Sequence, residues 1–438
     1  MIRIFVLILA FALLPLKASA ITLLRDAEIE RGLMILSQPI LQTAGLNSKR
    51  MKIYVVDDAR LNAFVIDGSA IFLNAGLIMR VKTVQSLQAV IAHEAAHIAN
   101  GHLSRRAANF QTSRTAAGLG AALAVIAGAA AGDLGAGAGA ALGAIGSAQR
   151  SFLSHTRAEE SSADQSGVRF MAEAGIDPQG AVDVLELFSG QDALSASRRD
   201  PYALTHPLTR NRLRAMKGFV AAQNKDFTPS STHQAWFALI QGKINAFERA
   251  PNWTLTRTKG KTDQVSLMRR AVAYERKGDL EKSRKAMADL LKKAPRNPYV
   301  HELNGQLLFE NRNYAASIKA YEKALQLAPN TPLILAGYGR ALLARGTESS
   351  ARQALKVLAT SHGRDPLNPG ALRDLANAYA KVGQNGMAAL VTAERYALLG
   401  RSKDAAILAK RAVSLLPKGS AGWQRADDVL RTTQRARR

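Results

Sequence analysis

Between residues 83 and 98 apolar side chains recur at three- and four-residue spacing, at Leu87, Val90, Ile91, Ala95 and Ile98, with Thr83 where an N-cap belongs. The pattern predicts a helix with one buried face. Residues 51–56 form a short apolar run and residues 62–73 are β-rich around Gly68, so both predict strands, with Asn74-Ala75-Gly76 as a turn after the second. Beyond about residue 260 the period changes to 34, through Ala271, Gly305 and Gly339, then Tyr274, Leu308 and Leu342, and Pro295 and Pro329. A period of that length predicts stacked helical hairpins. After Leu358 the register slips by three residues to Pro366, which leaves three clear repeats and one or two eroded ones. A helix over about 233–247 leads into them.

Residues 1–20 form a separate unit, with a basic start, an apolar stretch over 4–14 and Ala18-Ser19-Ala20 as a small-x-small cleavage pattern. They predict a cleaved export signal, since the stretch is too short to span hydrocarbon and Pro15 and Lys17 interrupt it. Residues 116–148 are rich in alanine and glycine, with Asp133 their only charge. That charge divides the segment into pieces below the ~20 apolar residues a bilayer needs, so a helical hairpin or loop packed on the protein, with a membrane-proximal lean, is the expectation.

The chain has 438 residues, 47% of them apolar, enough for two or three domains with cores of their own. It contains no cysteine, which excludes disulfides, thiolate ligands and a cysteine nucleophile and leaves chemistry to His, Asp, Glu, Ser and Lys. The net charge is +25, and residues 261–438 alone carry 32 basic against 15 acidic side chains. Such a surface favours acidic partners. Nucleic acid is not expected among them, given the export signal and the lack of an aromatic-interleaved basic motif.

His93-Glu94-Ala95-Ala96-His97 lies in the predicted helix. One helical turn separates the two histidines, so both imidazoles face one side and could bind a single Zn²⁺, with Glu94 within reach of its water. A third ligand is required. His102 misses the metzincin spacing, because Asn100 and Leu103 stand where glycine and histidine would be needed, and it reads as a helix-end histidine. Glu160 on a second helix would complete a His₂Glu site, and Asp164 one turn on could accept the free N–H of a ligand histidine. In isolation, Glu159 and Glu160 read equally well as a solvated acidic helix start.

Over residues 45–215, the H-E-x-x-H helix, the following E-x-x-A-D and a strand through Asn62-Ala63-Phe64 resemble the M48 family of zinc metallopeptidases. Within the clearest repeat, Gly305, Leu308, Tyr321, Ala324 and Pro329 stand where tetratricopeptide repeats place small residues, an aromatic knob and a terminating proline, and the C-terminal part resembles that family. Together these imply a mainly α protein: a gluzincin-type α+β metalloprotease domain with a small β-sheet, followed by an α-solenoid. The implied boundaries are 1–20 signal peptide, 21–220 peptidase domain with the 116–148 insert as a lid or hairpin, 221–260 linker and lead-in helix, and 261–438 repeats.

The resemblance makes His93, His97 and Glu160 ligands of one Zn²⁺ and Glu94 the base. Thr205-His206-Pro207 and Arg212 match further family elements, so that His206 would be a fourth ligand closing a resting site or a donor to the oxyanion, and Arg212 an oxyanion or structural group. Ser69 departs from the family, which often has a second glycine there. Val65, Ile66, Asp67, Gly68, Ser69, Ala70 and Ile71 are expected as an edge strand to which an extended substrate adds. The implied function is a periplasmic zinc endopeptidase acting on misassembled or unfolded outer-membrane proteins. Its repeats would dock a partner at the outer-membrane assembly machinery, with peripheral membrane contact. The alternative is a chaperone or scaffold that holds such proteins without cutting them. A membrane-embedded peptidase would need several apolar spans, and the chain beyond residue 20 has none.

Overall fold

The structure, a computed structural model, describes residues 22–66, 68–104, 156–189, 191, 198–207 and 210–435. The export signal, the Ala/Gly-rich segment and Asp67 lie outside these residues. Among the described residues no helix is long and apolar enough to cross a membrane.

Strand β1 (Leu23–Leu24) leads into helix α1 (Ala27–Thr43), followed by strands β2 (Lys52–Val56), β3 (Ala63–Val65) and β4 (Ala70–Asn74). The sheet order is β1-β2-β4-β3, with β2 and β4 parallel and both outer pairs antiparallel. The central pair is buried on both faces, which is why Ile53 to Val56 is apolar without alternation. The expected single strand through residues 65–71 is therefore corrected. Val65 ends β3, Ala70 and Ile71 belong to β4 in the sheet interior, and Ile66, Gly68 and Ser69 lie in the connection that reverses the chain. The sheet's outer strands are β1 and β3, so of these residues only Val65 lies on an edge strand.

Asn74-Ala75-Gly76 is also not a turn. Strand β4 runs straight into helix α2 (Ala75–Arg80). Gly76 serves a close approach instead, since a Cβ there would overlap the Ala59 carbonyl. Helix α3 (Val84–Ala99) is capped by Thr83, whose hydroxyl accepts from Ser86 N at 3.1 Å. It is buried almost all round from Val84 to His97, with Ile98 half-buried, rather than along one stripe. The reason is its central place, enclosed by α1, β3 and β4 and by helices α4 (Arg157–Glu173) and α5 (Gln179–Leu187). Helices α6 (Pro201–Thr205) and α7 (Arg210–Ala221) close this side of the domain.

Helix α8 (Ser231–Glu248) was expected within a linker, but its Phe237, Ile240 and Ile244 belong to the core around α3. A short α9 (Pro251–Thr258) then leads to five helical hairpins: α10 (Gln264–Arg276) with α11 (Leu280–Lys293), α12 (Pro298–Glu310) with α13 (Tyr314–Leu327), α14 (Pro332–Arg345) with α15 (Glu348–Arg364), α16 (Pro369–Lys381) with α17 (Asn385–Leu398), and α18 (Ser402–Leu415) with α19 (Ala421–Arg435). The repeat is visible in its hydrogen bonds: Ser283 Oγ donates to Ala271 O at 2.9 Å and Ser317 Oγ to Gly305 O at 2.7 Å. Tyr321 packs onto Gly305 and Gly337, where a Cβ would come within 2.8 and 2.6 Å of its ring. Helix α15 has 17 residues where α11 and α13 have 14, which accounts for the three-residue slip.

The two parts are joined through buried charge. Arg25 reaches Asp365 at 2.7 Å, and the buried Lys243 on α8 holds Asp26 at 2.8 Å and Glu28 at 3.2 Å. Glu302 on α12 faces the same cluster. Burial pushes its carboxyl pKa up, reinforced by Asp26 and opposed by Lys243. The fold thus favours its protonated form, so its contribution to stability is full below the unfolded pKa of about 4.3 and is lost as pH rises above it. Urea unfolding between about pH 5 and 8 is expected to show a decline in stability that Glu302→Gln flattens; an unchanged slope in the variant would contradict this placement of the charge.

Candidate metal centre

Three elements converge on one point. Helix α3 brings His93 and His97 to one face, α4 brings Glu160 and Asp164 a turn apart, and the residue capping α6 is His206. Helices α3 and α4 pack closely at Gly167, where a Cβ would lie 3.4 Å from the backbone of Ala92 and His93, an ordinary contact. All of these side chains are buried, and Glu94 and His97 are 0% exposed.

The donor atoms stand in a tight cluster. His93 Nε2 is 3.0 Å from His97 Nε2 and 3.2 Å from His206 Nδ1, and Glu160 Oε1 is 3.0 Å from His206 Nδ1 and 3.4 Å from His97 Nε2. Four ligands held tetrahedrally at about 2.0–2.1 Å are separated from one another by about 3.3 Å, so this spacing suits a four-coordinate ion. His93, His97, Glu160 and His206 each offer one such atom, and all four atoms lie within 4.8 Å of one another. Three imidazoles and one carboxylate are borderline donors of the kind that zinc accepts. The residues present therefore fit a metal ion. Of the two readings of this acidic helix start, Glu160 is buried in the wall of the site, while Glu159 closes the capping box with Thr156.

The surrounding groups hold these donors in place. Asp164 Oδ1 lies 3.1 Å from His93 Nδ1, where it accepts the ring N–H and leaves Nε2 to the centre. Arg212 pins both carboxylates of α4, with Nε and Nη2 on Asp164 at 2.6 and 2.8 Å and Nη1 on Glu160 Oε2 at 2.5 Å. A guanidinium engaged in this way acts as a structural brace for the two carboxylates.

Glu94 is aimed at the same space, and both of its carboxylate oxygens are buried without a hydrogen-bond partner. His206 Nε2 stands 3.4 Å from Glu94 Oε1, so this imidazole spans the ligand cluster and the base.

The electrostatics follow from burial and charge. Burial depresses the His93 imidazolium, but hydrogen bonds to Asp164 and Glu160 prevail and lift its pKa to about 9. Without metal, a proton stands where the cation would be, and metal binding must release it. Burial raises the Glu94 carboxyl and prevails over His206 and His93. It also opposes ionisation of Glu160 and Asp164, yet His206 and Arg212 hold Glu160, and Arg212 holds Asp164, below the ordinary carboxylate range.

Two neighbours escaped sequence reasoning. His102 Nδ1 lies 2.8 Å from His97 Nδ1, behind the cluster, and is buried. It is not one of the four converging donors, but it sets which nitrogen of His97 faces them. The chain returns it there because α3 ends at Ala99 and Gly101 takes φ +68. Tyr202 packs its ring 4.5 Å from His206 and is backed by Phe188. Its only sequence signal was proximity to Thr205-His206-Pro207.

A buried His₂Glu centre with a base on the same helix turn is a metallopeptidase site, here joined to a helical-repeat solenoid. Residues 25–220 match Peptidase family M48, and 265–297 and 308–367 match tetratricopeptide repeats. The N-terminal part is an M48 peptidase domain, that of a metalloendopeptidase. The chain is 26% identical to the beta-barrel assembly-enhancing protease of Yersinia pestis over 78% of its length and 70% of the relative's. It is 28% identical to the protein of that name from Escherichia coli K12, over 40% of this chain and 37% of that one. With the mitochondrial metalloendopeptidase OMA1 of Schizosaccharomyces pombe it shares 27% over 45% and 55%, respectively. The chain thus spans well under two thirds of the latter two relatives.

Because Asp164 and His102 orient ligands without converging on the centre, Asp164→Asn and His102→Ala are each expected to weaken metal affinity about 10- to 100-fold in a competitive chelator titration. Affinity equal to wild type in both would remove their orienting role.

Proposed function

We propose that this chain is an exported zinc endopeptidase that cleaves extended or unfolded polypeptides, with its solenoid docking the protein partner or substrate. The single observation that carries the reading is the tetrahedral spacing of the His93, His97, Glu160 and His206 donors beside the unpartnered Glu94 carboxylate. When bound there, Zn²⁺ supplies Lewis-acid polarisation of the scissile carbonyl and acidification of water. Glu94 takes the proton from the attacking water and returns it to the leaving amine, for which its raised pKa in a dry pocket suits it. Asp164 and Arg212 keep the ligands in register throughout.

His206 is proposed to close the resting site, because it occupies the fourth ligand position and faces the base at once. Catalysis then requires it to move aside and admit water and substrate. Strand β3, an outer strand of the sheet and packed near α3, offers its edge to an extended substrate, which explains a preference for unfolded chains over any one side chain. The name of the bacterial relatives, beta-barrel assembly-enhancing protease, supports a role in β-barrel assembly. Together with the expected export signal it favours the periplasm as the compartment, misassembled outer-membrane proteins as substrates and their assembly machinery as the site of docking. The alternative chaperone activity is supported by the solenoid, which can hold a polypeptide without the metal centre.

Two variants test this. Glu94→Gln is expected to retain one zinc per chain and polypeptide binding while peptide hydrolysis falls at least about 10³-fold; residual turnover near wild type would assign the base elsewhere. His206→Ala is expected to keep zinc, through three remaining ligands, and to raise hydrolysis of an unfolded substrate. A fall in the catalytic rate with zinc retained would instead place His206 on the transition state.

A further inference from the structure

The C-terminal repeats contain a groove between α16, α17 and α18 of about 370 Å³. Its polar lining is Arg373 and Asn377 from α16, Asn385 and Thr392 from α17 and Arg411 from α18, over a floor of alanines and Leu408. No lining residue is acidic. Arg373 shares the buried Asp374 with Arg340, giving up Nε at 3.0 Å and keeping its terminal nitrogens, while its side chain is 56% exposed. Arg411 has no side-chain partner among the described residues and is exposed.

Beside the groove lies an apolar stripe. Ile407 and Leu415, 66% and 50% exposed, are the large hydrophobic residues most open to solvent among the described ones. They stand one turn to either side of Arg411 on α18, so they share its face. Elsewhere among the described residues of the solenoid, apolar side chains of that size are buried or half-buried.

We propose that this groove is a docking site for an acidic polypeptide segment, with a side-chain carboxylate held between Arg373 and Arg411 and flanking apolar residues seated on Ile407, Leu408 and Leu415. Charge complementarity selects this occupant: residues 261–438 carry 32 basic and 15 acidic side chains, and the groove gathers two of the arginines without an opposing carboxylate in its lining. The asparagines and Thr392 satisfy the segment's backbone, and the alanine floor leaves room for it. The inference deepens the docking role given to the solenoid above and rests on it.

The test is fluorescence anisotropy on the full chain carrying Glu94→Gln, so that the probe is not cleaved. The probe is an eight-residue peptide alternating Leu and Asp, blocked at both ends, beside its Leu/Asn counterpart. The Asp peptide is expected to bind at least tenfold more tightly than the Asn peptide, and Arg373→Gln with Arg411→Gln to abolish that difference. Arg284→Gln with Arg352→Gln, an equal loss of charge elsewhere on the solenoid, is expected to change affinity less than threefold. Equal binding by both double variants, or equal binding of both peptides, overturns the groove. Reduced, carboxymethylated lactalbumin is titrated in parallel. If it binds while the Asp peptide does not, the groove is wrong and the docking role stands; if neither binds, both fall.

Discussion

Lone pairs on three imidazole nitrogens and a carboxylate oxygen repel one another at 3.0–3.4 Å in a dry interior unless a cation, or protons in its stead, stands between them. The peptidase domain is arranged around that requirement. Helix α3 is buried on nearly every side and presents His93, Glu94 and His97 inward, and α4 packs against it at Gly167. Arg212 then supplies a fixed positive charge that favours ionised Asp164 and, together with His206, ionised Glu160 against the burial that opposes it.

Much of this was legible because the motif and its periodicity are local. His93, Glu94 and His97 are related by helical geometry alone, and Thr83 announces the start of their helix. Glu160, His206 and Arg212 are not local: only the packing of α4, α6 and α7 brings them to α3. Glu160 stood as a candidate third ligand from the need for one, and the family resemblance pointed to His206 and Arg212. His102 was set aside as a ligand on its spacing and is not among the four donors; its seat behind His97 depends on the left-handed turn at Gly101, which a linear pattern does not show. The edge strand was misplaced for a related reason, since β-propensity continues across residues 63–74 while the chain reverses between Val65 and Ala70. In the solenoid the 34-residue period held until α15 gained a turn's worth of residues.

The junction between peptidase and repeats has a different character. Lys243 with Asp26 and Glu28 forms a largely buried ion-pair cluster faced by the protonation-prone Glu302, and Arg25 ties the start of α1 to Asp365. Such clusters fix orientation more than they add stability, because desolvation offsets most of the attraction. A solenoid held in one orientation presents its grooves at a constant distance from the metal site, which suits the docking role proposed for it.

The most direct measurement is X-ray absorption at the zinc edge on the purified chain supplied with one equivalent of zinc. The account predicts four nitrogen or oxygen neighbours at about 2.0–2.1 Å with the multiple scattering of three imidazoles. Failure to take up the ion, or a six-coordinate shell of oxygens without imidazole scattering, would contradict it.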